Sequence, residues 1–111
     1  MNNCTRLYIL VRHGQRADHL PQLYPQYIDH PDAILTPLGH QQAYETGLFL
    51  KDILPAFEQK QSKYFDKLIV ETSPFVRTLA TTARICEAIK FKDHVGLNFR
   101  YSEWLAPHLY R

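Results

Sequence analysis

The chain has 111 residues, with 13 Lys+Arg against 11 Asp+Glu, so its formal net charge is +2 at pH 7. A hydrophobic fraction of 45% and a charged fraction of 22% are ordinary for a single domain, which we place over residues 1–111. The near balance of charge gives no reason to expect nucleic-acid binding, and no apolar run approaches the roughly 18 residues of a membrane span. Two cysteines, Cys4 and Cys86, make no disulfide framework, so we expect a cytoplasmic or nuclear protein.

The first predicted element is a β-strand at residues 7–11, a short apolar run rich in β-favouring side chains. A polar group at residues 12–16 follows its carboxyl end. Residues 17–35 are dense in Pro and Tyr and show neither helical nor strand periodicity. A loop of this length in a compact domain is usually functional or disordered.

A helix is predicted next, because Thr36 followed by Pro37 is typical of a helix start. Apolar residues then recur at helical spacing, and Pro55 predicts an end soon after it. Gly39 and Gly47 are poor helix formers, so each is expected to mark close packing.

A second strand at residues 68–70, a second helix and a third strand at residues 95–99 complete the pattern. Ser73-Pro74 predicts the start of the second helix, and its inner face is expected to comprise Val76, Leu79, Ala80, Ala83 and Cys86. The order β-loop-α-β-α-β predicts an α/β domain with a mainly parallel sheet.

Two polar segments follow the carboxyl ends of predicted parallel strands, where ligands of open α/β sheets bind. Arg12, His13 and Arg16 follow the first strand, and Arg77 follows the second. Guanidinium groups hold phosphate bidentately, and a neutral imidazole among them could attack phosphorus. An Arg-His-Gly triplet also occurs by chance, and a histidine at a strand end is commonly structural. The second arginine favours the functional interpretation.

Four landmarks in chain order resemble the amino-terminal half of the histidine phosphatase superfamily, also called phosphoglycerate mutase-like. They are residues 10–14, residues 35–43, residues 73–78, and Glu103 followed by Trp104. The resemblance extends over residues 7–104, nearly the whole chain. It implies a three-layer α/β/α fold with a mainly parallel sheet.

The resemblance also implies a role for each candidate residue. His13 is the nucleophile, and Arg12 and Arg77 hold the phosphoryl group. Arg16 joins them, because Arg-His-Gly-x-Arg is a common phosphatase variant. Glu103 protonates the leaving alkoxide as general acid, although most glutamates are merely solvated. Fixed cations stabilise the phosphoryl charge in this chemistry, so neither a metal nor another cofactor is expected.

One departure from the family pattern concerns a second histidine, which the family carries on a later strand after the donor carboxylate. Only His108 follows Glu103 here, without a strand around it. We therefore expect a sheet that is incomplete at the C-terminus, in a fragment, a truncated gene model or a degenerate paralogue. Such a chain alone is expected to be poorly soluble or partly unfolded, with little activity.

Three functions stay open at this point. The preferred one is a phosphatase that, in its intact form, hydrolyses a phosphomonoester through a phosphohistidine intermediate, on a small molecule or a phosphoprotein, without nucleic-acid or membrane partners. A phosphoglycerate mutase-type phosphotransferase is disfavoured, because the residues after Glu103 lack the Arg-x-Tyr-Gly stretch typical of mutases. The third is a non-catalytic module that binds a phosphorylated ligand or a protein.

Overall fold

A computed structural model describes residues 6–91 and the backbone of residues 97–101. Two short 3-10 turns come first, at Ala17–His19 and Pro25–Tyr27. They are followed in chain order by helix α1 (Pro37–Gln61), strand β1 (Leu68–Thr72), helix α2 (Val76–Ile89) and strand β2 (Leu97–Tyr101). The two strands pair in parallel, with Leu68 opposite Leu97 and Thr72 opposite Tyr101, and α2 is the crossover between them. The predicted α/β class is confirmed, and the last two predicted strands are present at shifted bounds.

Helix α1 begins where the sequence predicts. The Thr36 hydroxyl accepts a hydrogen bond from the Gly39 N–H at 3.0 Å, and Pro37 occupies the first turn. The predicted end near Pro55 is wrong, since the helix continues to Gln61. Pro55 removes one N–H donor at an exposed part of the helix, where water can satisfy the carbonyl left without a partner. Ser62 caps the C-terminal end of the helix, with a left-handed backbone whose φ is 56°.

The prediction that Ser73-Pro74 caps helix α2 is also wrong. The helix starts at Val76, and the Val76 N–H donates to the Asp32 carboxylate at 2.8 Å. The Ser73 hydroxyl is committed elsewhere, because it donates to the Thr78 hydroxyl at 2.8 Å. A cap from a residue 44 positions away leaves no local signal in the sequence.

The inner face predicted for α2 is mostly wrong. Val76, Leu79 and Ala83 are exposed, Ala80 is half-buried, and Cys86 is buried as expected. The buried residues of the helix are Arg77, Thr81, Cys86, Ala88 and Ile89. The buried side chains of α2 are therefore polar in its first half, where the helix contacts the loop at residues 13–14, and mainly apolar in its second half.

The two helices pack closely at Gly47, one of the glycines expected to mark close packing. A Cβ at Gly47 would lie 2.5 Å from the Ile85 carbonyl oxygen and 2.6 Å from the Ala88 Cβ. Gly47, Ala43 and Leu50 are buried in α1, as the helical spacing predicts.

The predicted first strand, residues 7–11, is not a strand in the structure. No backbone hydrogen bond joins this segment to another described residue, and the described strands β1 and β2 pair with each other. Leu7, Ile9 and Val11 line a cleft of about 340 Å³, whose other walls are β1 and α2. Tyr8 and Leu10 are 78% and 96% exposed. Alternate side chains of this segment therefore face the cleft, but the segment lacks the hydrogen-bonded neighbour that a strand needs.

No helix within the described residues has the length and apolar character needed to cross a membrane.

Candidate active site

Gly14 lies between the first turns of both helices. Its N–H donates to the Thr81 hydroxyl of α2 at 3.1 Å, and that hydroxyl donates in turn to the Arg77 carbonyl at 2.7 Å. On the other side Gly14 contacts the backbone of Gly39 in α1, where a Cβ on Gly14 would lie 2.8 Å from the Gly39 carbonyl carbon. Only glycine permits this approach, so the packing of residue 14 against both helices determines where the neighbouring His13 lies.

The start of α1 holds the next residue, Gln15, through three hydrogen bonds. The Gln15 N–H donates to the Gln42 side-chain oxygen at 3.0 Å. The Thr36 hydroxyl donates to the Gln15 side-chain oxygen at 2.7 Å, and the Thr36 N–H donates to the Gln15 carbonyl at 3.0 Å. The segment at residues 35–43 therefore has a structural role, because it immobilises the loop that carries the candidate nucleophile.

His13 is half-buried, and its Nδ1 lies 2.8 Å from the Gly14 carbonyl oxygen. A carbonyl only accepts, so this hydrogen bond requires the proton on Nδ1. In the neutral ring Nε2 then keeps its lone pair. The pKa of His13 is lowered, first by burial and then by the positive charges of Arg77, Arg16 and Arg12, while the bond to Gly14 opposes the shift. The lowered pKa favours a neutral imidazole, and the hydrogen bond to Gly14 leaves Nε2 as the nitrogen with the reactive lone pair.

Arg77 is only 8% exposed, and its guanidinium stacks over the Phe75 ring at 4.0 Å from the centroid. Two buried nitrogens of this guanidinium, Nε and NH1, have no hydrogen-bond partner among the described residues. Burial and the charge of Arg16 lower the pKa of Arg77, although Asp32 and Asp18 oppose that effect. Unpaired buried donors on a cation are costly, so Arg77 is a candidate to bind an anion.

Arg16 is fixed by the backbone around it. It forms an antiparallel bridge with Leu35, and the neighbouring Ala17 N–H donates to the Ile34 carbonyl at 2.8 Å. Its guanidinium pairs with the Asp18 carboxylate. Arg12, by contrast, is exposed and makes no hydrogen bond within the described residues.

Of the five sequence-predicted site residues, Arg12, His13 and Arg16 lie on one loop, and the hydrogen bond from Gly14 to Thr81 joins that loop to the helix that carries Arg77, the fourth. The fifth, Glu103, lies outside the described residues. Sequence reasoning missed Asp18 and Thr81. A signal for Thr81 existed, because it lies four residues after Arg77 and so shares its face of α2.

Other reactive groups contribute little to this site. Cys86 is buried, and burial raises the pKa of its thiol, so it is a poor nucleophile. Within residues 6–91, no group of three or more His, Cys, Asp or Glu side chains could hold a metal ion.

Comparison with protein families agrees with this geometry. Residues 8–104 match the family model of the histidine phosphatase superfamily (branch 1), which is most of the chain. The chain therefore belongs to the histidine phosphatase superfamily, whose members are phosphatases and mutase-type enzymes. Comparison with curated proteins and with solved structures gave no match.

Proposed function

We propose that this domain, in its intact form, hydrolyses a phosphomonoester through a phosphohistidine intermediate at His13. The observation that carries the proposal is the buried Arg77 guanidinium, whose Nε and NH1 lack partners in the described part of the chain, beside a histidine kept neutral. A phosphoryl group offers anionic oxygens that a guanidinium binds well. The fold we propose around it is the three-layer α/β/α arrangement, in a cytoplasmic or nuclear protein.

In the first step the lone pair of His13 Nε2 attacks phosphorus, and the bond from phosphorus to the leaving oxygen breaks. Nδ1 keeps its proton and donates it in a hydrogen bond to the Gly14 carbonyl oxygen. This hydrogen bond stabilises the positive charge that develops on the ring. Arg77, Arg16 and Arg12 stabilise the three equatorial oxygens. We assign Glu103 the proton that the leaving alkoxide takes up.

In the second step a water molecule attacks the phosphohistidine. The Nε2–phosphorus bond breaks, inorganic phosphate leaves, and Glu103 accepts the proton of the water. The same arginines hold the phosphoryl group in both steps, because its charge differs little between them.

The test is His13→Ala, with exposed His19→Ala as the matched control. We expect His13→Ala to lower kcat/KM for p-nitrophenyl phosphate by at least about a thousandfold, and His19→Ala to leave it within about twofold. Wild-type protein quenched during turnover of a 32P-labelled substrate should carry acid-labile label on His13. Activity of His13→Ala within about tenfold of wild type would refute the nucleophile assignment.

The same experiment separates the two alternatives. A phosphotransferase would give labelled His13 but pass the phosphoryl group to an acceptor hydroxyl, without stoichiometric inorganic phosphate. A non-catalytic module would bind vanadate or phosphate through Arg77 and give neither label nor turnover.

A further inference from the structure

Arg16 and Asp18 form a two-bond ion pair beside His13. The Arg16 Nε donates to one Asp18 carboxylate oxygen at 2.9 Å, and NH2 donates to the other at 2.6 Å. The two side chains are 22% and 17% exposed, so the pair is more sheltered than an ordinary surface pair. Burial alone would raise the pKa of Asp18, but the hydrogen bonds and charge of Arg16 outweigh it and the pKa is lowered. The carboxylate therefore stays ionised.

The backbone fixes both partners of this pair. Arg16 bridges to Leu35, and Ala17 between them is fully buried with its N–H bound to the Ile34 carbonyl. Asp18 lies within the 3-10 turn Ala17–His19, which is closed by the Leu20 N–H on the Ala17 carbonyl at 3.0 Å. Because neither end is free to drift, the pair sets the direction of the guanidinium plane.

Bonding through Nε and NH2 uses one edge of the guanidinium. Of the five N–H groups on an arginine, the two on NH1 and the outer one on NH2 remain, and they form a second edge suited to two oxygens of a phosphate. We propose that Asp18 is a positioning residue for phosphoryl transfer: it holds one edge of Arg16 so that the other edge meets the phosphoryl group on His13. This inference rests on the proposed function.

Electrostatics supports the same assignment. The positive charge of Arg16 lowers the pKa of His13 and of Arg77, so it adds to the positive potential at both groups. The charge of Asp18 also acts on Arg77, in the opposite sense. With no phosphate bound, the carboxylate offsets the repulsion between the two guanidinium groups and keeps Arg16 near the site.

The experiment is a double-mutant cycle in the full-length protein, with Asp18→Asn, Arg16→Ala and the double variant. We expect Asp18→Asn to lower kcat/KM for p-nitrophenyl phosphate about tenfold, and Arg16→Ala to lower it about a hundredfold. The double variant should match Arg16→Ala, because a positioning residue has nothing to act on once its arginine is gone. Asp18→Glu should recover part of the loss. The matched control is Glu87→Gln, which breaks an exposed pair with Arg84 in α2 and should leave kcat/KM within about twofold.

An equal loss on Asp18→Asn with and without Arg16 would overturn the inference, since it would mark a general structural role. A kcat/KM of Asp18→Asn within twofold of wild type would overturn it as well. So would a gain in kcat/KM, which would mean that Asp18 withholds Arg16 from the substrate.

Orthovanadate affinity, measured across the same cycle, separates this inference from the proposed function. Wild-type protein that binds vanadate without turnover overturns the hydrolase proposal, and an Arg16-dependent loss of that binding in Asp18→Asn still supports positioning. Wild-type protein that shows neither binding nor turnover overturns both.

Discussion

Gly14→Ala should disrupt the candidate site more than any change of comparable size. A Cβ at residue 14 would overlap the Gly39 carbonyl oxygen and lie 2.8 and 2.9 Å from the Gly39 carbonyl carbon and Cα. All three atoms belong to the backbone of α1, which is held by the Thr36 cap and cannot rotate away as a side chain could. The loop that carries His13 must move instead.

The magnitude follows from the size of that movement. Ordinary contact between carbon atoms is about 3.5 Å, so the loop must shift by roughly 0.6–1 Å. A shift of this size also displaces the Gly14 N–H relative to the Thr81 hydroxyl and disrupts the 3.1 Å hydrogen bond between them. Overpacking costs about 1–3 kcal/mol and the lost hydrogen bond about 1 kcal/mol, so the free energy of unfolding should fall by about 2–4 kcal/mol. Displacing the nucleophile by such a distance lowers kcat/KM by roughly a hundredfold.

The assay is urea unfolding followed by circular dichroism, together with kcat/KM for an aryl phosphate under conditions where both variants are folded. Gly47→Ala is the matched control, because its Cβ also meets backbone, at 2.5 Å from the Ile85 oxygen, but in the α1–α2 contact. It should be destabilised comparably and keep kcat/KM within about threefold. A Gly14→Ala variant with wild-type kcat/KM and a free energy of unfolding within about 0.5 kcal/mol would refute the reasoning.

Three further predictions concern single contacts of the site. Arg77→Lys should bind orthovanadate as weakly as Arg77→Ala, at least about tenfold below wild type, because an ammonium lacks the planar fork; an affinity within twofold of wild type would contradict this. Thr81→Val removes the acceptor for the Gly14 N–H and should cost about 1–3 kcal/mol in urea unfolding, whereas a cost under about 0.5 kcal/mol would mean that the hydrogen bond contributes little. The NMR titration midpoint of the His13 ring should lie below 6.5, since burial and then the arginines disfavour its charged form, and it should rise in Arg77→Ala. The stability contributed by neutral His13 should accordingly be lost as pH falls below about 6.5 through the folded-state pKa, and a midpoint at or above 6.5 would contradict the assignment.

The candidate site was more predictable from the sequence than the elements around it. Arg12, His13, Arg16 and Arg77 are separated by up to 65 positions, yet they fall at the carboxyl ends of apolar runs, which topology brings to one place. The start of α1 was equally predictable, because Thr36 and Pro37 act on their own helix. These signals are local or follow from the chain order, so no knowledge of packing was needed.

Three of the errors concern partners that lie far away in the chain. The N-cap carboxylate of α2 comes from Asp32, across 44 positions. The inner face of α2 carries Arg77 and Thr81 because the loop at Gly14 packs there, which apolar periodicity does not report. Residues 7–11 have the composition of a strand but no pairing partner among the described residues. Hydropathy predicts which side chains are suited to burial, and it does not predict which segment will cover them.

The helices, more than the sheet, hold the candidate nucleophile in place. On its carboxyl side His13 is followed by Gly14, bonded to Thr81, and by Gln15, bonded to Gln42 and Thr36. On its amino side residues 7–12 make no backbone hydrogen bond within the described part of the chain and border the cleft beside β1. The position of the imidazole therefore depends on the first turns of α1 and α2, while the sheet side supplies mainly apolar walls. This asymmetry explains what the two family motifs do in the structure. Residues 35–43 hold the loop after His13, and residues 73–78 lead into α2, whose first two turns carry Arg77 and Thr81.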